Sequence, residues 1–158
     1  MRILRRCLPA LALFALVFAG CASTAPPSGI TTAILGFHPT DASHPEAGGT
    51  LTLRFASESI SPLGFTRSTH KLFLNDTYVG KAATDVPFGL APLTSTTQDV
   101  PVRFENAALV RQLAAASDSH ATYRLESILF QTVNDDNYEL KTHSEGSLDL
   151  RGTAGAAK

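Results

Sequence analysis

The chain has 158 residues, 44% of them hydrophobic, with thirteen Lys and Arg against fourteen Asp and Glu for a formal charge of −1. That length predicts one domain around a single core. Near-balanced charge, with no like-charged run longer than Asp135-Asp136, disfavours nonspecific nucleic-acid binding and excludes a charged tail.

Met1 to Arg6 is basic, and Cys7 to Ala19 is apolar except for Pro9. This run falls short of the roughly 20 apolar residues that cross a bilayer, so residues 1–20 read as a signal peptide. Val17-Phe18-Ala19-Gly20 before Cys21 resembles the lipobox of bacterial lipoproteins, with Phe18 where Leu is commonest. The resemblance implies that Cys21 is lipidated and becomes the first residue of the mature chain. An ordinary secretory signal cut near Ala19 or Ala22 is the alternative. By analogy with lipoprotein sorting, Ala22 after the cysteine implies a cell-envelope protein on the outer membrane, facing the periplasm. Removal of Arg2, Arg5 and Arg6 leaves ten cations against fourteen acids, a mature charge of −4. With Cys7 in the signal and Cys21 at the attachment point, no disulfide is expected. Residues 21–29 read as a lipidated flexible tether, since Ala22 to Gly29 contain two prolines and no large apolar side chain.

Residues 30–152 read as the folded domain, and 153–158 as a disordered tail. Short apolar runs alternate with Gly, Pro, Asn and Asp clusters, which predicts an antiparallel β-sandwich. Ile30 to Phe37 is the first strand, closed by a loop from His38 to Gly49. Thr50 to Ala56 places Leu51, Leu53 and Phe55 on one face. His70 to Asn75 and Tyr78 to Thr84 flank Asn75-Asp76-Thr77 as a hairpin, with Leu72 and Leu74 inward. Thr97 to Phe104 alternates Val100, Val102 and Phe104, and Pro101 within it predicts an edge strand or a strand start. Asn106 to Ala116 has helical spacing with Leu109 and Leu113 on one face. Thr122 to Val133 and Tyr138 to Arg151 close the domain around Asn134 to Asn137, with Leu148 and Leu150 inward.

From about Leu35 to Leu150 a further resemblance emerges, carried by LTLRF, KLFLNDTYVGKAATDVPFGLAPLTSTTQDVPVRF, a short helix, YRLESILF and GSLDL. The order resembles the type 2 late-embryogenesis-abundant family (LEA type 2), also called the water stress and hypersensitive response (WHy) domain. The resemblance implies an all-β, immunoglobulin- or fibronectin III-like sandwich with one short helix. Where that family usually has Asn-Pro-Asn, this chain has Ser57-Glu58-Ser59.

Catalytic signatures are absent: no Gly-x-Ser-x-Gly, no His-Glu-x-x-His and no phosphate-cradling glycine loop. No catalytic residue, cofactor or metal ligand is expected, and the chain is read as a non-enzyme. His38, His44, His70, His120 and His143 are scattered without ligand-like spacing and are expected to be solvated. Asn134 to Asn137 suits a turn better than a calcium loop, and the Asn75 sequon is likewise read as a turn. The phenylalanines are read as core, except Phe65 and Phe88, which sit in Gly/Pro-rich loops and are the candidate binding-loop residues. Two functions follow. One is stress protection, in desiccation or osmotic stress, by a membrane-anchored lipoprotein making weak contacts with client proteins or the membrane surface. The other is a dedicated module docking an envelope protein partner through a sheet edge or loop ends.

Overall fold

The computed structural model describes residues 29–151. The signal segment, Cys21, the tether up to Ser28 and the tail from residue 152 lie outside the described residues. Within them the chain is almost entirely β: β1 (Ile30–Pro39), β2 (Gly49–Ser57), β3 (Leu63–Phe65), β4 (Arg67–Leu74), β5 (Thr77–Thr84), β6 (Phe88–Leu90), β7 (Ser95–Phe104), β8 (His120–Val133) and β9 (Asp136–Asp149). One helix, α1 (Ala107–Ala115), and a 3-10 turn at Pro45–Ala47 complete it.

Seven strands form one sheet in the order β1-β2-β7-β5-β4-β8-β9, and every neighbouring pair is antiparallel. An odd number of alternating strands leaves the first and last pointing the same way. The sheet curls until β1 lies against β9, nearly closing a barrel, and side chains rather than a backbone ladder bridge this parallel seam. Thr32 and Thr142 share a hydrogen bond between their hydroxyls at 2.9 Å, and the Ile34 amide donates to the Tyr123 hydroxyl at 3.1 Å. Tyr123 reaches β1 because Gly146 stands opposite it; a Cβ at Gly146 would lie 2.8 Å from the Tyr123 ring.

Period-two patterning sets the core. Leu51, Leu53, Phe55, Leu72, Leu74, Val100, Leu148 and Leu150 lie inside as expected, and Leu125 and Leu129 of β8 join them. The turns follow their chemistry as well. Asn75 and Asp76 have positive φ of 45° and 61°, and Asn134 and Asp135 have 52° and 68°, the left-handed pair that joins twisted strands in two residues. The second turn is therefore shorter than the four residues expected, since Asp136 and Asn137 already belong to β9.

Three expectations are corrected. β7 is neither an edge strand nor begun at Pro101; it runs between β2 and β5. Proline is tolerated there because the β5 ladder reaches only Val102, and Pro101 lies just past its end. The helix buries Val110 and Ala114, with Leu109 and Leu113 at the margin of the buried face, and Asn106 caps it by accepting from the Leu109 amide at 3.3 Å. Finally, β3 and β6 occupy segments expected to be loops, and they pair with each other as a two-stranded ribbon.

Candidate functional site

Two features bear on function: a polar row through the interior, and the end of the domain from which the N-terminal segment departs.

The polar row follows from register. His70 on β4 faces Ser127 on β8, and Ser127 faces Thr142 on β9, which in turn meets Thr32 of β1 across the seam. All four side chains are buried. His70 is not solvated, as expected of it, but 1% exposed; its Nδ1 lies 2.7 Å from the Ser127 hydroxyl and its Nε2 2.9 Å from that of Ser68. Burial lowers its pKa from 6.5 to about 4, so the ring is neutral at physiological pH, one nitrogen donating and the other accepting. Among the described residues no carboxylate contacts His70 to complete a Ser-His-Asp arrangement, and the group is walled in by Phe55, whose ring centroid is 6.1 Å away. The row can satisfy buried polar atoms and fix register across the seam. Its sequence signal is simple: residue 70 stands two before Leu72 and therefore shares the inward face. The other four histidines are exposed.

The second feature is the β3–β6 ribbon. Phe65 faces Phe88 across it, with ring centroids 5.1 Å apart, and Phe88 lies 4.6 Å from Phe55 of the core. Phe65 is 2% exposed and Phe88 half-buried, so the structure places the two candidate binding-loop residues against each other as a plug in one end of the curled sheet. Apolar exposure at this end falls instead on Ile60, Val86 and Leu93, which are 84%, 62% and 68% exposed. The Leu93 amide donates to the Ser59 carbonyl at 3.1 Å, tying the two loops together. The Glu58 amide donates to the Gly29 carbonyl at 2.8 Å, so the chain running back toward Cys21 leaves from this same end. Ser57-Glu58-Ser59, in the place of the missing tripeptide, forms that junction, with the Ser57 hydroxyl accepting from the Ser59 amide at 3.1 Å.

The Asn75 side chain accepts from the Thr122 amide and hydroxyl at 3.1 and 3.0 Å, a structural task that joins the β4–β5 turn to β8. Among the described residues no group of three or more His, Cys, Asp or Glu converges as a metal site, and no helix is long and apolar enough to cross a membrane.

The sequence matches no family model, and no curated protein matches it. Solved structures do resemble it. The solution structure of AT1g01470 from Arabidopsis thaliana aligns with a TM-score of 0.56 at 14% identity, covering 84% of this chain and 88% of that one. The solution structure of At2g46140.1, a candidate late embryogenesis abundant (LEA) protein, aligns with a TM-score of 0.51 at 13% identity, covering 90% of this chain and 82% of that one. The domain therefore has an LEA-type fold, all-β with one short helix.

Proposed function

We propose that this chain is a membrane-anchored envelope lipoprotein whose LEA type 2-like domain protects against desiccation or osmotic stress without catalysis. It does so by weak contacts with proteins or the membrane surface. In this reading the curled sheet is a variant of the fibronectin-like sandwich, and an acylated Cys21 holds it at the outer membrane, facing the periplasm. The observation that carries the reading is the LEA-type fold behind a lipobox-like Val17-Phe18-Ala19-Gly20-Cys21. An anchor at Cys21 would also set which end of the domain lies nearest the membrane. Eight residue steps separate Cys21 from Gly29, spanning at most about 28 Å, which is less than the roughly 46 Å length of the fourteen-residue β8. The Ile60, Val86 and Leu93 end would therefore stay near the bilayer.

The test has two arms. Cys21→Ser should move the protein from the membrane to the soluble fraction on cell lysis; unchanged membrane association sinks the lipid anchor. The same variant, dried with an unrelated sensitive enzyme, should preserve more activity than an equal mass of an inert protein. Equal preservation would leave the second reading, a module dedicated to one envelope partner, which the exposed apolar loops at the tether end favour.

A further inference from the structure

The face of β7, β5, β4, β8 and β9 opposite the core carries an arrangement that sheets ordinarily avoid. Arg103 faces Lys81, and Lys81 faces Lys71, so three exposed cations stand directly opposite one another on three neighbouring strands. Like charges in this position repel and weaken the pairing. Arg67, Arg124 and Lys141 share this face, so six of the ten cations that follow Cys21 lie on it. The face carries acids too: Asp99 accepts from the Thr52 hydroxyl at 2.7 Å, and Glu139 stands opposite Phe130. Glu105 lies 3.5 Å from Lys81 and also accepts from the Tyr78 hydroxyl; Glu126 stands opposite Lys71 and is paired with Arg124; Glu145 stands opposite Arg124. His143 stands opposite Glu126. Among the described residues Lys71, Arg103 and Lys141 form no ion pair.

The surface here is concave. A depression of about 750 Å³ is lined by Thr69, Ile128 and the cations Lys71, Lys81, Arg124 and Lys141, with Glu126 the one acid among its lining residues. A second, of about 480 Å³, continues past Lys81 and Ala83 to Pro101 and Arg103. Lys81 and Ala83 border both, which makes the two depressions parts of one trough. Beside the cationic row runs an uncharged one: Ala83 faces Thr69, and Thr69 faces Ile128. Five strands span about 19 Å between the outermost two, the length of about six extended residues.

We propose that this trough is a docking site for an extended acidic peptide segment of a partner protein, with carboxylates alternating with aliphatic side chains. Carboxylates meet Lys71, Lys81 and Arg103, and relieve a repulsion that the free domain bears. The aliphatic groups meet Ala83, Ile128 and the lysine stems. A bare polyphosphate would use the cationic row and leave the apolar row uncovered. The inference rests on the protein-contact part of the function proposed above.

The test uses the full chain in a neutral detergent and fluorescent eight-residue peptides of repeating Glu-Val, Glu-Ser or Lys-Val, read by anisotropy. Glu-Val should bind more tightly than Glu-Ser, and Lys-Val should not bind. Lys71→Gln with Lys81→Gln should raise the Kd about tenfold or more, while Arg54→Gln, at an exposed position of β2 outside the trough, should change it by less than about twofold. Added salt should weaken binding. Glu-Val binding no tighter than Lys-Val, or an unchanged Kd in the double variant, overturns the site. Equal binding of Glu-Ser and Glu-Val, with full displacement by tripolyphosphate, overturns the peptide assignment in favour of a simple anion site. Peptide binding without protection of dried enzyme removes the stress role and leaves the docking site standing; protection without peptide binding does the reverse.

Discussion

His70 shows how one buried side chain can set the pH response of a small β domain. Its pKa of about 4 in the fold, against 6.5 when unburied, means that the unfolded chain binds a proton that the folded chain refuses between these values. Its contribution is complete above pH 6.5 and is lost as pH falls toward 4, up to about 3 kcal/mol. Glu46, Asp118 and Asp149 have lowered pKa values, the first two chiefly through backbone hydrogen bonds and Asp149 chiefly through Ser119. Their stabilisation is therefore lost further down, as pH drops below the ordinary carboxylate range. A urea midpoint that declines between pH 6.5 and 4.5 in the parent and stays flat in His70→Asn would verify the assignment. A matching decline in both would refute it. The imidazole's inward direction is legible from its two-residue spacing to Leu72. Its partner Ser127, 57 residues away, is not, because only strand pairing brings them together.

Among the elements, the β1–β9 seam is the one most exposed to single changes, since no ladder joins those strands. Tyr123→Phe removes the hydroxyl that accepts from the Ile34 amide and should cost about 1 kcal/mol. Gly146→Val should cost more, because its Cβ would meet the Tyr123 ring and displace it from the seam. Amide exchange at Ile34 should accelerate in both variants; protection equal to the parent's would show that the seam does not depend on Tyr123. The hairpins are legible in the amino-acid sequence because their turn residues are local, and Asn-Asp with positive φ sits where the polar clusters predict. The ribbon of β3 and β6 is not, since three-residue strands between glycines and prolines carry too little alternation to register.

At the level of the whole molecule, the cation row implies that stability has been set against surface chemistry. Arg103→Gln removes the repulsion with Lys81 and should raise stability by about 0.5 kcal/mol, more at low salt than at high. A urea midpoint unchanged or lowered at low salt would contradict that reading. Opposite consequences for stability and for peptide binding in one substitution would mark the row as a functional feature.

Alternation and turn chemistry by themselves determined that the chain is all-β, where its long strands run and which side chains face the core. Those properties depend on neighbours within a few residues. Tertiary structure alone decided which strands lie side by side: that a proline-bearing strand is internal, that the two candidate phenylalanines plug an end, that a histidine rests between two serines, and that Arg103, Lys81 and Lys71 form a line. Each depends on register between segments distant in sequence, which hydrogen bonding across the curled sheet sets and local pattern does not encode.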